Sequence, residues 1–179
     1  TTRVFDNIYW TGAWNQIIGT CGDHDAVWML GCDVSLKNSP EEYRKSIEES
    51  LPFGVWSPAF MGRAQPFMMA SAYGRSTEDA VKYRVKNVEG ISFAASKELM
   101  KLVGKLGGSQ IGYGQDFWMC HVAREEGLPN YIDGRLVLHH PSSRGYDDEE
   151  AVRQMETTFR GRFGKYFRDT VFQYSESFE

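Results

Sequence analysis

No stretch of the 179-residue chain stays apolar for the roughly 18 residues that a membrane-spanning helix needs, and the opening Thr-Thr-Arg-Val-Phe-Asp lacks the regions of a signal peptide. A soluble, cytoplasmic protein without a transmembrane segment is expected. Cysteine is scarce. Only Cys21, Cys32 and Cys120 occur, at spacings that fit neither a zinc knuckle nor a disulfide framework, so they read as reduced, mostly buried thiols. Positive charge is not in excess: 20 Lys and Arg against 24 Asp and Glu give a formal charge of -4, which opposes a grip on a nucleic-acid backbone. Internal repeats, low-complexity tracts and linkers long enough to separate domains are also missing. What is present suits one domain over residues 1–179, with 41% hydrophobic and 25% charged residues, near the globular average. Aromatic residues reach 14%, and large rings with a polar edge serve both cores and sugar or base platforms.

The pattern along the chain alternates strand and helix. Gly12 to Ile18 reads as a short helix, and Ala26 to Leu30 as a buried strand that ends abruptly at Gly31-Cys32-Asp33. Ser39-Pro40-Glu41-Glu42 has the form of a capping box with Pro at the first helical position, predicting a helix from Pro40 to about Ser50. Phe53 to Phe60 alternates like a strand that stops at Pro58, and Pro66 to Tyr73 is an apolar stretch that fits a strand or a loop. Val88 to Ala94 is a strand candidate. Ser96 N-caps a helix through Val103 closed by Gly104, and Gln115 to Glu126 forms another, closed by Gly127. Leu136 to Leu138 reads as a short strand. Asp147 to Phe163 is amphipathic, with Val152, Met155, Phe159 and Phe163 on one stripe.

Three places could carry chemistry. Asp33 follows an apolar strand and so sits at the carboxyl edge of a sheet, where open α/β folds keep their ligands; a solvated loop Asp is the bland alternative. Carboxylate and imidazole ligands suit Mg or Mn, and His139 or His140 is the matching second ligand, though neighbours on a strand point oppositely and only one should reach the site. A surface histidine pair is the competing account. Asp116, in the first turn of a helix after Gly112-Tyr113-Gly114, lies beside unpaired amides that favour the ionised carboxylate. Such a group accepts a proton from an attacking hydroxyl, or merely caps its helix.

In their order these segments resemble family 2 glycosyltransferases with the GT-A fold, over about Asn7 to His140. Asn7 to Gln16 resembles the family's Asn-x-Gly-aromatic segment, with Tyr9 in place of Gly. Asp25 to Val34 resembles the strand that delivers the Asp-x-Asp metal motif, with Asp33 at its last position and Gly31 at its first, where no carboxylate is available. Phe53 to Pro58 and Glu89 to Phe93 are similar to the strand after that motif and to the acceptor-side glycine segment. Gly112-Tyr113-Gly114-Gln115-Asp116 looks like the Gly-aromatic-Gly-Glu-Asp helix start whose Asp serves as base; Gln115 replaces Glu, altering an acceptor contact. Leu136 to His140 looks like the strand ending in the metal-ligand histidine, with His139 slightly favoured.

The resemblance implies an α/β fold with a GT-A, Rossmann-like mixed central sheet flanked by helices in a single domain. It implies an inverting, metal-dependent glycosyltransferase. A divalent metal ion, Mn or Mg, would be held by Asp33 with His139 or His140, and Asp116 would be the general base. Its partners would be a nucleotide-sugar donor and a carbohydrate, lipid-linked or protein acceptor. Family members begin with a strand-helix-strand nucleotide-binding region, and only six residues precede Asn7 here. Either an N-terminal segment is missing from the chain or its donor-base pocket is built differently. Trp10, Trp14, Trp56 and Trp118 are candidates to pack a sugar ring or the base, with core packing the commoner use. Arg63, Arg75, Lys82, Arg84 and Lys86 could meet phosphate, and the last three alternate as one face of a strand; a solvated charged face is the competing reading. Two rivals stand beside the enzyme: a catalytically silent nucleotide-sugar or carbohydrate-binding module, and a subunit that joins a partner through Pro66 to Tyr73.

Overall fold

A computed structural model of the chain describes residues 9–20, 22–62, 82–140 and 146–164. Its elements in chain order are α1 (Tyr9–Thr20), β1 (Ala26–Leu30), β2 (Ser35–Leu36), α2 (Pro40–Ser50), β3 (Val55–Gly62), β4 (Lys82–Val85), β5 (Ser92–Ser96), α3 (Lys97–Val103), α4 (Gln115–Glu125), β6 (Asn130–His140) and α5 (Asp148–Phe163). The architecture is α/β, with a mixed sheet. Asn7, Cys21, Arg63, Arg75, residues 66–73 and the side chain of Phe163 lie outside the described residues. Among the described residues, no helix is long and apolar enough to cross a membrane.

Strand order is β1-β5-β3-β6-β2, with β4 also on β6. β3 runs parallel to β6, and the other pairings are antiparallel. β1 and β2 stand at opposite ends of this path, yet only Gly31 to Val34 join them. The five Cα steps from Leu30 to Ser35 reach at most about 18 Å. A flat sheet would separate the two strands by about 19 Å. The link is shortened further by a turn in which Val34 N donates to Gly31 O at 3.4 Å. The sheet therefore curls, and its two ends approach each other where β1 ends and β2 begins.

A second irregularity lies within β6. Pro58 pairs with Asp133 but Ala59 with Val137, so Gly134 to Leu136 bulge out against β3. Asp133, fully buried, holds the bulge: its carboxylate accepts from Arg135 N at 3.0 Å, Arg135 Nε at 2.8 Å, Arg135 Nη2 at 2.6 Å, and from Ser46 Oγ. Burial pushes this carboxyl up, but the Arg135 and Ser46 hydrogen bonds outweigh it and hold it below the ordinary range. β3 runs past Pro58, where the sequence predicts a stop. β5 pairs with β3 only at Val55 and Trp56, so the proline's missing N–H breaks no bond there.

Helix boundaries follow local chemistry. Ser39 and Glu42 form the reciprocal capping box that opens α2, Ser96 accepts from Leu99 N to open α3, and Gly104 closes it at φ 60°. The strand predicted over Val88 to Ala94 instead covers Ser92–Ser96, and the three-residue strand at Leu136 is the C-terminal portion of the 11-residue β6. On α5 the buried stripe is Ala151, Met155 and Phe159, whereas Val152 is 38% exposed, contrary to the sequence stripe. One core runs through both sheet faces, with Trp14, Trp56, Tyr43, Phe53, Phe93 and Phe159 fully buried. Cys120 lies within it, but Cys32 is exposed, so burial of the thiols is not general.

Candidate functional site

The Gly31 to Val34 turn brings Asp33 against the end of β6, since Ser35 pairs with His139. His140 Nε2 stands 3.0 Å from Asp33 Oδ2. Alternation along the strand sends the His139 ring to the other face, so His140, not the favoured His139, is the partner of Asp33. The pair fits the donor set of a divalent ion: two neighbouring ligands of an octahedral ion at about 2.1 Å are themselves about 3 Å apart. His140 Nδ1 is buried with no hydrogen-bond partner, an orphaned polar atom at the place in question. Among the described residues, no group of three or more His, Cys, Asp and Glu is clustered to hold a metal. Gly31 sits close by: a Cβ there would lie 3.0 Å from Asp33 Oδ1 and 3.2 Å from Ile91 O.

Asp116 is set by the loop before α4. Gly114 at φ 82° is the N-cap of that helix, and a Cβ on it would lie 2.7 Å from Phe159 and 2.8 Å from Met155 of α5. At Gly112, φ 88°, a Cβ would lie 2.6 Å from the Cβ of Trp10 on α1. The two glycines of Gly-Tyr-Gly thus let a tight loop lie wedged between α1 and α5, and Asp116 emerges from it in the first turn of the helix. Its Oδ2 accepts from Gly90 N at 2.8 Å and its Oδ1 from Phe117 N at 2.9 Å. The sequence favours an ionised carboxylate here because of such amides. Burial outweighs them: it pushes the carboxyl from the ordinary 3.8 up to about 6, with the Gly90 and Phe117 N–H groups pulling against it. A carboxyl balanced near neutrality is well matched to proton transfer.

The two places are joined by one dipeptide. Gly90 N donates to Asp116, and the carbonyl of the next residue, Ile91, accepts from Gly31 N at 2.8 Å. Asp33 and His140 therefore lie on the same edge of the curled sheet as Asp116, separated by Gly31, Ile91 and Gly90. The sequence has no local signal for this. Gly90 is 26 residues from Asp116, and its role as a donor depends on the fold.

The other predicted contacts fall differently. Gln115 is fully buried and donates from Nε2 to Gly107 O at 3.1 Å, so it ties down the glycine loop instead of facing an acceptor. Trp14 and Trp56 are fully buried core residues. Trp10 stacks on Trp14 with centroids 6.2 Å apart, and Trp118 lies under Arg162 at 5.0 Å. Lys82 donates to Ser50 Oγ at 2.6 Å and pairs along β4 with Asp133, away from Asp33 and Asp116. Lys82 and Arg84 do alternate on a strand, β4, as their spacing predicts. No family model matches the chain, and no curated protein matches it.

Proposed function

We propose that the chain is a metal-dependent, inverting glycosyltransferase of GT-A type, which moves a sugar from a nucleotide-sugar to an acceptor hydroxyl. The observation that carries this reading is the shared edge: an Asp33–His140 pair and a half-buried Asp116, linked through Gly31, Ile91 and Gly90. Asp33 and His140 would hold a divalent ion, Mn or Mg, whose charge offsets that of the diphosphate leaving group. Asp116 takes the proton of the acceptor hydroxyl as its oxygen bonds to the anomeric carbon. The bond from that carbon to the diphosphate breaks, and its electron pair leaves with the nucleotide. Attack opposite the leaving group inverts the carbon. Holding acceptor and donor in that line supplies much of the rate, and the short dipeptide between the two ends of the site favours a fixed spacing.

A nucleotide-sugar panel titrated with and without Mn, read by thermal shift, identifies the donor, because binding to the folded state raises the midpoint. With that donor, Asp116→Asn abolishes transfer and spares donor binding; near-normal turnover in the variant refutes the base assignment. The second reading, a catalytically silent binding module, draws support from Gly31, where the resemblance would put another carboxylate and where even a Cβ would lie 3.0 Å from Asp33 Oδ1. Donor binding that is indifferent to chelator, with no metal-dependent donor hydrolysis, favours the module.

A further inference from the structure

Gly90 donates to the Asp116 carboxylate from outside α4, and it lies in no strand or helix. A glycine rotates freely about both its backbone bonds, so the direction of its N–H is fixed only if its neighbouring peptide groups are held. They are held on the far side. Ile91 O accepts from Gly31 N, and Gly90 O accepts from the indole N–H of Trp10 at 3.0 Å. The indole is itself immobilised, stacked on Trp14 and edge-on to Phe93 with centroids 5.7 Å apart. A larger residue would crowd both neighbours: a Cβ on Gly90 would lie 3.1 Å from Trp10 Nε1 and 3.3 Å from Asp116 Oδ2.

We propose that Trp10 is a positioning residue for the proton acceptor: by holding the Gly90 carbonyl, its indole N–H keeps the Gly90 N–H aimed at Asp116 Oδ2. The inference rests on the reading of Asp116 as the base, and it gives Trp10 a role in the reaction without contact to substrate. Of the ionisable groups beside this link, Cys120, on the next turn of α4, has its thiol pushed up to about 12 by burial and stays neutral, and Glu89 precedes Gly90 in the chain.

Trp10→Phe keeps a ring against Trp14 and Phe93 and removes the N–H. The deciding measurement is a carbon-13 NMR titration of the Asp116 carboxyl, which needs no substrate, with the acid limb of kcat beside it. With the Gly90 N–H loosened, the ionised form loses support. The midpoint is expected to rise by about half a pH unit, leaving about threefold less ionised carboxylate, and about threefold lower kcat, on the acid side. Donor KM stays unchanged. A midpoint that does not move in the folded variant overturns the proposal, as a side chain that only fills space would leave it where it was. If Trp10→Phe does not fold, Gly90→Ala tests the same link by forcing a methyl between indole and carboxylate, and an unmoved midpoint there is equally fatal. The two readings separate: a moved midpoint in a protein that transfers no sugar upholds the positioning and sinks the base, whereas an unmoved midpoint with transfer abolished in Asp116→Asn does the reverse.

Discussion

Asp116 should make the protein less stable as the pH rises, and the size of the effect follows from its surroundings. Burial lifts the carboxyl from 3.8 to about 6, so the folded chain binds this proton more tightly than the unfolded chain does. A raised value contributes stability that is fully present below the unfolded value and is lost as the pH climbs through the folded one. At about 1.4 kcal/mol per pH unit, the loss between about pH 4 and about pH 7.5 comes to about 2.5 kcal/mol. Other groups titrate over the same range, so the wild type alone does not isolate the contribution. Asp116→Asn does. The amide cannot ionise, and although its NH2 group cannot accept from the Gly90 or Phe117 N–H, that cost is independent of pH and cancels in a comparison. Urea unfolding of both proteins across this range gives the two stability curves. Relative to the wild type, the variant is expected to gain about 2.5 kcal/mol on going from the acid to the alkaline end. Parallel curves would mean that the carboxylate is well solvated when folded, and the account of its surroundings would be wrong.

Further outcomes follow from the same contacts. Asp33→Ala and His140→Ala each remove the effect of Mn on donor thermal shift, whereas His139→Ala retains it; the reverse pattern would reassign the ligand. Ser39→Ala removes half of the capping box of α2 and costs about 1 kcal/mol in chemical denaturation, with donor binding intact. Gly127→Ala places a methyl in open space at φ 73° and costs only the left-handed backbone, about 1–2 kcal/mol. Gly114→Ala adds to that strain a methyl 2.7 Å from the Phe159 ring, so it should destabilise clearly more than Gly127→Ala in the same denaturation assay.

The sequence by itself determined whatever depends on neighbours along the chain. The boundaries of α2 and α3, the span of β1, the left-handed Gly127 and the place of Asp116 in the first turn of α4 are all written in capping residues, glycines and apolar periods a few positions apart. Only the tertiary structure decided matters that join distant segments. The 11-residue β6 was legible only at Leu136 to Leu138, because its earlier residues carry a buried Asp133 whose partners, Ser46 and Arg135, hide the charge from solvent but not from the sequence. The sequence leaned to His139, since alternation says that only one of the two histidines faces Asp33 and only the register with β2 makes it His140. Likewise, the amides beside Asp116 can be read from its helix position, but its enclosure cannot. Desolvation depends on which distant segments fold around a group, and that effect outweighs the local one.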